Sequence, residues 1–180
     1  MKRILKEVLI FSIQILFVLI FSFLFVKFVG QRTEVIGSSM ESTLSDGENL
    51  WVNKIGYRFN DPQRFDIVVF PYRYKEKTYY IKRIIGLPGE TIRIDDDGNI
   101  YINDELLNES YGREVIADPG RAAKTIHLGD DEYFVMGDNR NNSSDSRKPD
   151  VGNLKRSEII GRAVYRIYPF NKMGSLKDNE

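Results

Sequence analysis

The chain has no cysteine and a single histidine, His127, among its 180 residues. Without thiols there is no disulfide framework, no cysteine nucleophile and no thiolate metal site. One imidazole cannot build a zinc centre of several histidines. Neither charge is in excess, since 26 Lys+Arg balance 26 Asp+Glu. The basic surplus of a nucleic-acid-binding domain is therefore missing. There are no internal repeats and no low-complexity linker. Nothing in the composition calls for a cofactor or a metal, so acid–base chemistry is left to Asp, Glu, Lys, Tyr or His127. The mean hydropathy of −0.35 is that of a soluble domain, but the average hides one long apolar segment.

Val8 to Val26 reads VLIFSIQILFVLIFSFLFV, nineteen residues without a charge. As a helix it would span about 29 Å, close to the hydrocarbon thickness of a bilayer. Lys2, Arg3 and Lys6 precede it and Lys27 follows, which favours a cytoplasmic N-terminus. A cleaved secretory signal is the rival reading. That reading expects a shorter apolar region followed by a small-x-small site, whereas KFVGQRTEV offers only Val29 and Gly30 among bulky neighbours. The expected organisation is a cytoplasmic stretch at 1–7, a transmembrane anchor at 8–26 and an extracytoplasmic domain at 31–180. Residues 31–180 carry 22 Lys+Arg and 25 Asp+Glu.

Beyond the anchor, short runs rich in Val, Ile, Tyr and Phe alternate with Gly, Pro, Asn and Asp. Strands are predicted at Thr33–Ile36, Leu50–Lys54, Asp66–Pro71, Thr78–Ile85, Thr91–Ile94, Ile100–Asn103, Glu132–Met136 and Ala163–Tyr168, with a turn of helix near Glu41–Ser45. Asp95–Asn99, DDDGN, is a hairpin signal. The predicted class is all-β, mostly antiparallel, behind one N-terminal transmembrane helix.

Three segments carry candidate chemistry. Val35–Leu44 is a strand that breaks at Gly37 into the hydroxyl-rich run Ser38-Ser39-Met40. A serine at such a junction can project its oxygen while its N–H faces the same space, although turns favour serine for structural reasons too. In the second segment, Tyr79–Glu90, strict alternation puts Tyr80, Lys82 and Ile84 on one face. Lys82 then either snorkels to solvent or sits desolvated with a lowered pKa. A shift from about 10.4 to about 7 costs on the order of 4–5 kcal/mol, which a general base would justify. The third, Phe134–Arg147, is a strand ending at Gly137 followed by a polar loop. It fails as a calcium loop because Arg140 stands at a ligand position, but an ordinary surface loop fits this segment taken alone.

Together these segments resemble the boxes of the bacterial type I signal peptidases, or leader peptidases. GSSMESTL at Gly37–Leu44, RFDIVVF at Arg64–Phe70, YIKRIIGLPGE at Tyr80–Glu90, VMGDNRNNSSDSR at Val135–Arg147 and IIGRAVYRIYPF at Ile159–Phe170 follow the apolar run in the family's order. Between Ser39 and Lys82 lie 42 residues, similar to the smaller Gram-positive-type members. The resemblance implies a serine–lysine endopeptidase that removes signal peptides at the outer face of the cytoplasmic membrane. Ser39 matches the nucleophile and Lys82 the general base. Ser143 matches the hydroxyl that orients the amine. Asp145, Arg147 and Arg83 match a supporting ion-pair cluster, with Asp138 nearby. Ser42 stands where the family usually has proline, Phe65 where it usually has glycine, and Gly37 where some members supply an oxyanion hydroxyl. Phe65 matters only if that position needs a positive φ or close packing.

Two other readings remain: a tethered peptide-binding protein without catalysis, and a hydrolase that uses His127 in a triad. An extended precursor would lie beside Thr33–Ile36 and Tyr79–Ile81, with side chains at −1 and −3 pointing the same way. Val35, Ile36, Leu44, Tyr79 and Ile81 are the expected substrate-binding residues, and alanine-like residues the expected preference at both subsites. The expected partners are signal-peptide-bearing precursors and membrane lipid.

Overall fold

The computed structural model describes residues 2–176; Met1 and residues 177–180, at the outer ends of the expected terminal segments, lie outside the described residues. Helix α1 runs from Lys2 to Phe28. From Val8 to Val26 it carries no charge and is largely apolar on every face, and none of its spanning window is buried by the rest of the chain. A helix apolar on every face with no protein over it requires an apolar surrounding. Lys27 occupies its last turn, where a cation complements the helix dipole.

The strands are β1 (Gly30–Glu34), β2 (Asn49–Asn53), β3 (Ile67–Pro71), β4 (Tyr79–Gly86), β5 (Thr91–Ile94), β6 (Ile100–Ile102), β7 (Glu105–Leu106), β8 (Ile126–His127), β9 (Glu132–Met136), β10 (Leu154–Lys155), β11 (Gly161–Tyr168) and β12 (Gly174–Ser175). All pairings between them are antiparallel. The larger sheet has the order β1-β2-β11-β3-β4-β9-β10, with β12 on β11, and a smaller one has the order β7-β6-β5-β8.

Alternation along β3 explains the layering. Ile67 and Val69 join one core with Val35, Leu44, Leu50, Val52 and Ile81, while Val68 and Phe70 join another with Ile84, Tyr133 and Val135. A sheet buried on both faces needs apolar residues at consecutive positions, and IVVF supplies them. A third core, with Ile85, Ile92, Ile94, Phe134 and Met136, joins the smaller sheet to the larger.

The first strand corrects the sequence reading. It starts at Gly30, immediately after α1, and ends at Glu34 rather than Ile36. Val35 still exchanges backbone bonds with Glu48 and Gly47, but Gly37 at φ +90° then turns the chain away. The two-residue strands β7, β8, β10 and β12 are too short for any periodicity to announce them.

Two backbone edges are left free beside one another. β1 ends the larger sheet. β4 pairs with β3 from Tyr79 to Arg83, but with β9 only from Arg83 onward. Tyr79–Lys82 therefore keep one unpaired side. A cleft of about 510 Å3 opens between Thr33–Ile36 and Thr78–Lys82.

Candidate active site

The chain turns at Gly37 because a residue there must adopt a positive φ, which glycine alone takes without strain. Its N–H donates to Asp46 Oδ1 at 2.6 Å. The expected turn of helix is not formed; a hydrogen-bonded turn follows instead, with Leu44 N–H donating to Met40 O at 2.8 Å. Met40 and Leu44 are buried on one side, which leaves Ser39 on the cleft side. Among the described residues the Ser39 N–H donates to no acceptor.

Lys82 reaches the same point from β4. Its Nζ donates to Ser39 Oγ at 2.7 Å and to its neighbour's carbonyl, Ile81 O, at 3.0 Å. It lies 5.1 Å from the Tyr80 ring, on the face the alternation predicts. The residue is only 3% exposed. Burial lowers its pKa from 10.5 to about 8, against the opposing pull of Asp145 and Asp138. That is a smaller shift than the sequence reading anticipates, and in the same direction.

The two carboxylates that pull the other way are each matched by an arginine. Asp138 takes both Nε and Nη2 of Arg83, at 2.9 and 2.7 Å. Asp145 takes Nε and Nη2 of Arg147, at 2.9 and 2.8 Å, and also accepts from the Gly137 N–H at 3.0 Å. All four side chains are buried. A carboxylate neutralised by a bidentate guanidinium attracts a nearby ammonium less. The two ion pairs thus let desolvation dominate at Lys82.

The loop after β9 also holds the Ser39 turn. Asn139 donates from its N–H to Ser39 O and from Nδ2 to Ser38 O, both at 3.1 Å, while Asn142 Nδ2 donates to Ser38 Oγ at 2.9 Å. Arg83 Nη2 reaches Thr43 Oγ1 at 3.3 Å. The sequence reading does not assign Asn139, Asn142 or Thr43; the run of amides directly after Gly137 is the signal that points to them. Gly137 permits the approach, since a Cβ there would lie 2.3 Å from Ser143 Oγ and 2.4 Å from Ser39 O.

Leu44 needs correcting as a cleft residue, and Ser143 makes no hydrogen bond with the amine in this structure. The Ser143 hydroxyl is buried beside the Ser39 turn but makes no hydrogen bond among the described residues; the Lys82 amine contacts Ile81 O and Ser39 Oγ. Val35, Ile36, Tyr79 and Ile81 line the cleft, but Leu44 does not. It is fully buried in the core beneath, with Met40 taking the lining position. His127 lies in β8, on the smaller sheet, and does not line the cleft.

Phe65 answers the question its identity raises. Its φ is +71°, a conformation that costs an L-residue roughly 1–2 kcal/mol. The ring packs on Tyr111 with centroids 4.9 Å apart, and Tyr111 lies under the Arg83 guanidinium at 3.8 Å. The Phe65 carbonyl also accepts from Arg83 Nη1 at 2.9 Å. Its contacts therefore offset the strain that glycine would avoid.

The family described as signal peptidase, peptidase S26, matches residues 6–168 of the chain. A probable signal peptidase I-2 of Synechocystis is 41% identical over 157 residues, covering 84% of this chain and 69% of the relative. A signal peptidase I of Bacillus amyloliquefaciens is 38% identical over 173 residues, covering 91% and 86%. The crystal structure of a signal peptidase I from Enterococcus faecalis aligns with a TM-score of 0.45 at 33% identity, over 57% of this chain and 97% of that one.

Proposed function

Since the chain belongs to the signal peptidase, peptidase S26, family, we propose that it is a membrane-held serine endopeptidase that removes signal peptides from exported precursors, with Ser39 as nucleophile and Lys82 as general base. The observation that carries this reading is the 2.7 Å contact between Lys82 Nζ and Ser39 Oγ, made by a lysine that is nearly inaccessible to water.

A serine hydroxyl needs an adjacent base to become a nucleophile at moderate pH. Once Lys82 is neutral, its lone pair points along the same contact and takes the hydroxyl proton as Oγ attacks the scissile carbonyl. The ammonium so formed returns that proton to the leaving amine. A water then attacks the acyl-enzyme, giving its proton to Lys82, which passes it to Ser39 Oγ as the acyl C–O bond breaks. The free N–H of Ser39 supports a role as one oxyanion donor. Ser143, whose buried hydroxyl is unused beside the Ser39 turn, would orient the amine once substrate displaces the resting contacts. Arg83, Asp138, Asp145 and Arg147 act by holding the loop and muting the carboxylates.

The two free strand edges favour an extended precursor lying between Thr33–Ile36 and Tyr79–Ile81. Val35 and Ile81 then form shallow apolar walls suited to small residues at −1 and −3. Helix α1 serves as the membrane anchor at 8–26, with 1–7 in the cytoplasm and 31–180 on the outer side, as the flanking charges favour.

The test is cleavage of a signal-bearing precursor by the detergent-solubilised chain, with the cut site read by mass spectrometry. Ser39→Ala and Lys82→Ala should each lower kcat by roughly 10⁴-fold with the fold intact, and His127→Ala should be silent. Loss on His127→Ala with survival of Lys82→Ala would sink the assignment. Retained precursor binding with no cleavage by the wild type would favour a peptide-binding role.

A further inference from the structure

A second cavity, of about 280 Å3, lies at the C-terminal end of α1 and shares no residue with the catalytic cleft. Lys27, Lys54, Arg58 and Arg156 line it, and no carboxylate does. The cations are held in place rather than free. The Phe28 ring carries the Arg58 guanidinium at 4.6 Å and Lys27 Nζ at 5.2 Å. Arg156 lies 5.4 Å from the Tyr57 ring and donates to Tyr57 O.

Like charges gathered this closely repel unless something negative lies among them. Part of that need is met within the chain. Lys54 Nζ donates to Val26 O at 3.0 Å, capping a helix end that carries partial negative charge. The largely exposed Asp61 lies 3.6 Å from Arg156. The buried Asp66, which accepts from the cavity-lining Tyr57, is also paired with Arg162. Among the described residues Lys27, Lys54 and Arg58 have no carboxylate partner. Burial also lowers the Lys54 pKa, the direction expected of a cation removed from water without a counter-anion.

The position identifies the missing anion. The charge-free stretch of α1 ends at Val26, one residue before Lys27. If α1 crosses the bilayer, the cavity sits at the depth of the lipid phosphates, and exposed apolar side chains such as Phe23 and Val26 run down from it. Guanidinium groups suit phosphate oxygens geometrically, and ammonium groups add point charge.

We propose that this cavity is a binding site for the headgroup phosphate of an anionic phospholipid, drawn from the leaflet facing the β domain, whose acyl chains lie along α1. The proposal rests on the anchor reading of α1. A free phosphate would satisfy the cations but not the apolar surface beneath them.

Trp51, the single tryptophan, packs on Phe25 at 6.1 Å between centroids and reports on lipid at this end of the helix. Its fluorescence in the full chain would be quenched by brominated phosphatidylglycerol or brominated phosphatidylcholine in mixed vesicles. The expected result is preferential quenching by phosphatidylglycerol, with the preference reduced about fivefold per cation removed in Arg58→Gln, Lys54→Gln and their double variant. Lys27→Gln, at an exposed position, provides a second route should the double variant fold poorly by circular dichroism. Equal quenching by the two lipids overturns the site, and so does a preference that survives all three substitutions. Loss of the preference in millimolar inorganic phosphate would show a soluble-anion site and overturn the lipid assignment. Flotation with pure phosphatidylcholine vesicles separates the premises. A chain that floats but shows no preference refutes the site alone, whereas one that does not float refutes the anchor and the site with it.

Discussion

Lys82 sets stability against chemistry. Its folded-state pKa, about 8, lies below its ordinary 10.5, so the unfolded chain binds the proton more tightly. Stability therefore rises with pH between those values, and the full destabilisation is present below about pH 8. For a residue this buried, the shift corresponds to about 3 kcal/mol. Lys82→Met, of similar length and without charge, should stabilise the domain by up to about that amount near neutral pH while abolishing cleavage. Urea unfolding at pH 7 and at pH 10 checks it, and the gain should shrink at the higher pH. An unchanged or lowered midpoint at pH 7 would mean that Lys82 is not held in a desolvated place. Phe65 makes a smaller version of the same compromise, since its strained backbone is kept while its ring and carbonyl fix Arg83.

At the scale of elements, the site is two strands and two turns held together by the loop that follows β9. Gly137 is the pivot, because Ser143 and Ser39 O occupy the space that a Cβ there would need. Gly137→Ala should push the loop from the nucleophile turn and lower kcat by about 10²-fold, the scale of a displacement near 1 Å. KM should change little and circular dichroism should be preserved. Steady-state kinetics on a peptide substrate would decide, and a silent substitution would mean that the loop does not position Ser39. Much of this arrangement is legible in the sequence. The alternation in Tyr79–Ile85 puts Lys82 beside Tyr80, and the break at Gly37 marks the nucleophile turn. The direction of the Ser143 hydroxyl and the burial of Leu44 are not legible, because an aperiodic loop and a single irregular turn take their orientation from tertiary contacts. The amide contacts from Asn139 and Asn142 are hidden for the same reason. So is the true start of β1, whose pairing with β2 begins as soon as the helix ends.

For the whole molecule, the junction between α1 and the β domain is short and stitched. α1 ends at Phe28, β1 begins at Gly30, and Val29 O accepts from the N–H groups of Lys54 and Ile55 at 2.9 and 3.3 Å. If α1 is the anchor proposed above, the cleft is held close to the end of the helix, beside the layer where a precursor's cleavage site follows its own apolar segment. Tethering of this kind raises effective concentration without building the site. A chain beginning at Lys27 should cut a short soluble peptide as the full chain does. On precursor held in vesicles it should lose about 10²-fold or more. Equal rates on the vesicle-held precursor would remove that role from the anchor. The central claim is that Ser39 is activated by a neutral Lys82, and the pH dependence of kcat/KM for the intact chain tests it most directly. The expected profile climbs through a single acidic limb centred near pH 8 and holds on the alkaline side, because only the deprotonated amine can act as base. A limb centred near about 6.5, where histidine titrates, or a rate independent of pH across the range would contradict it.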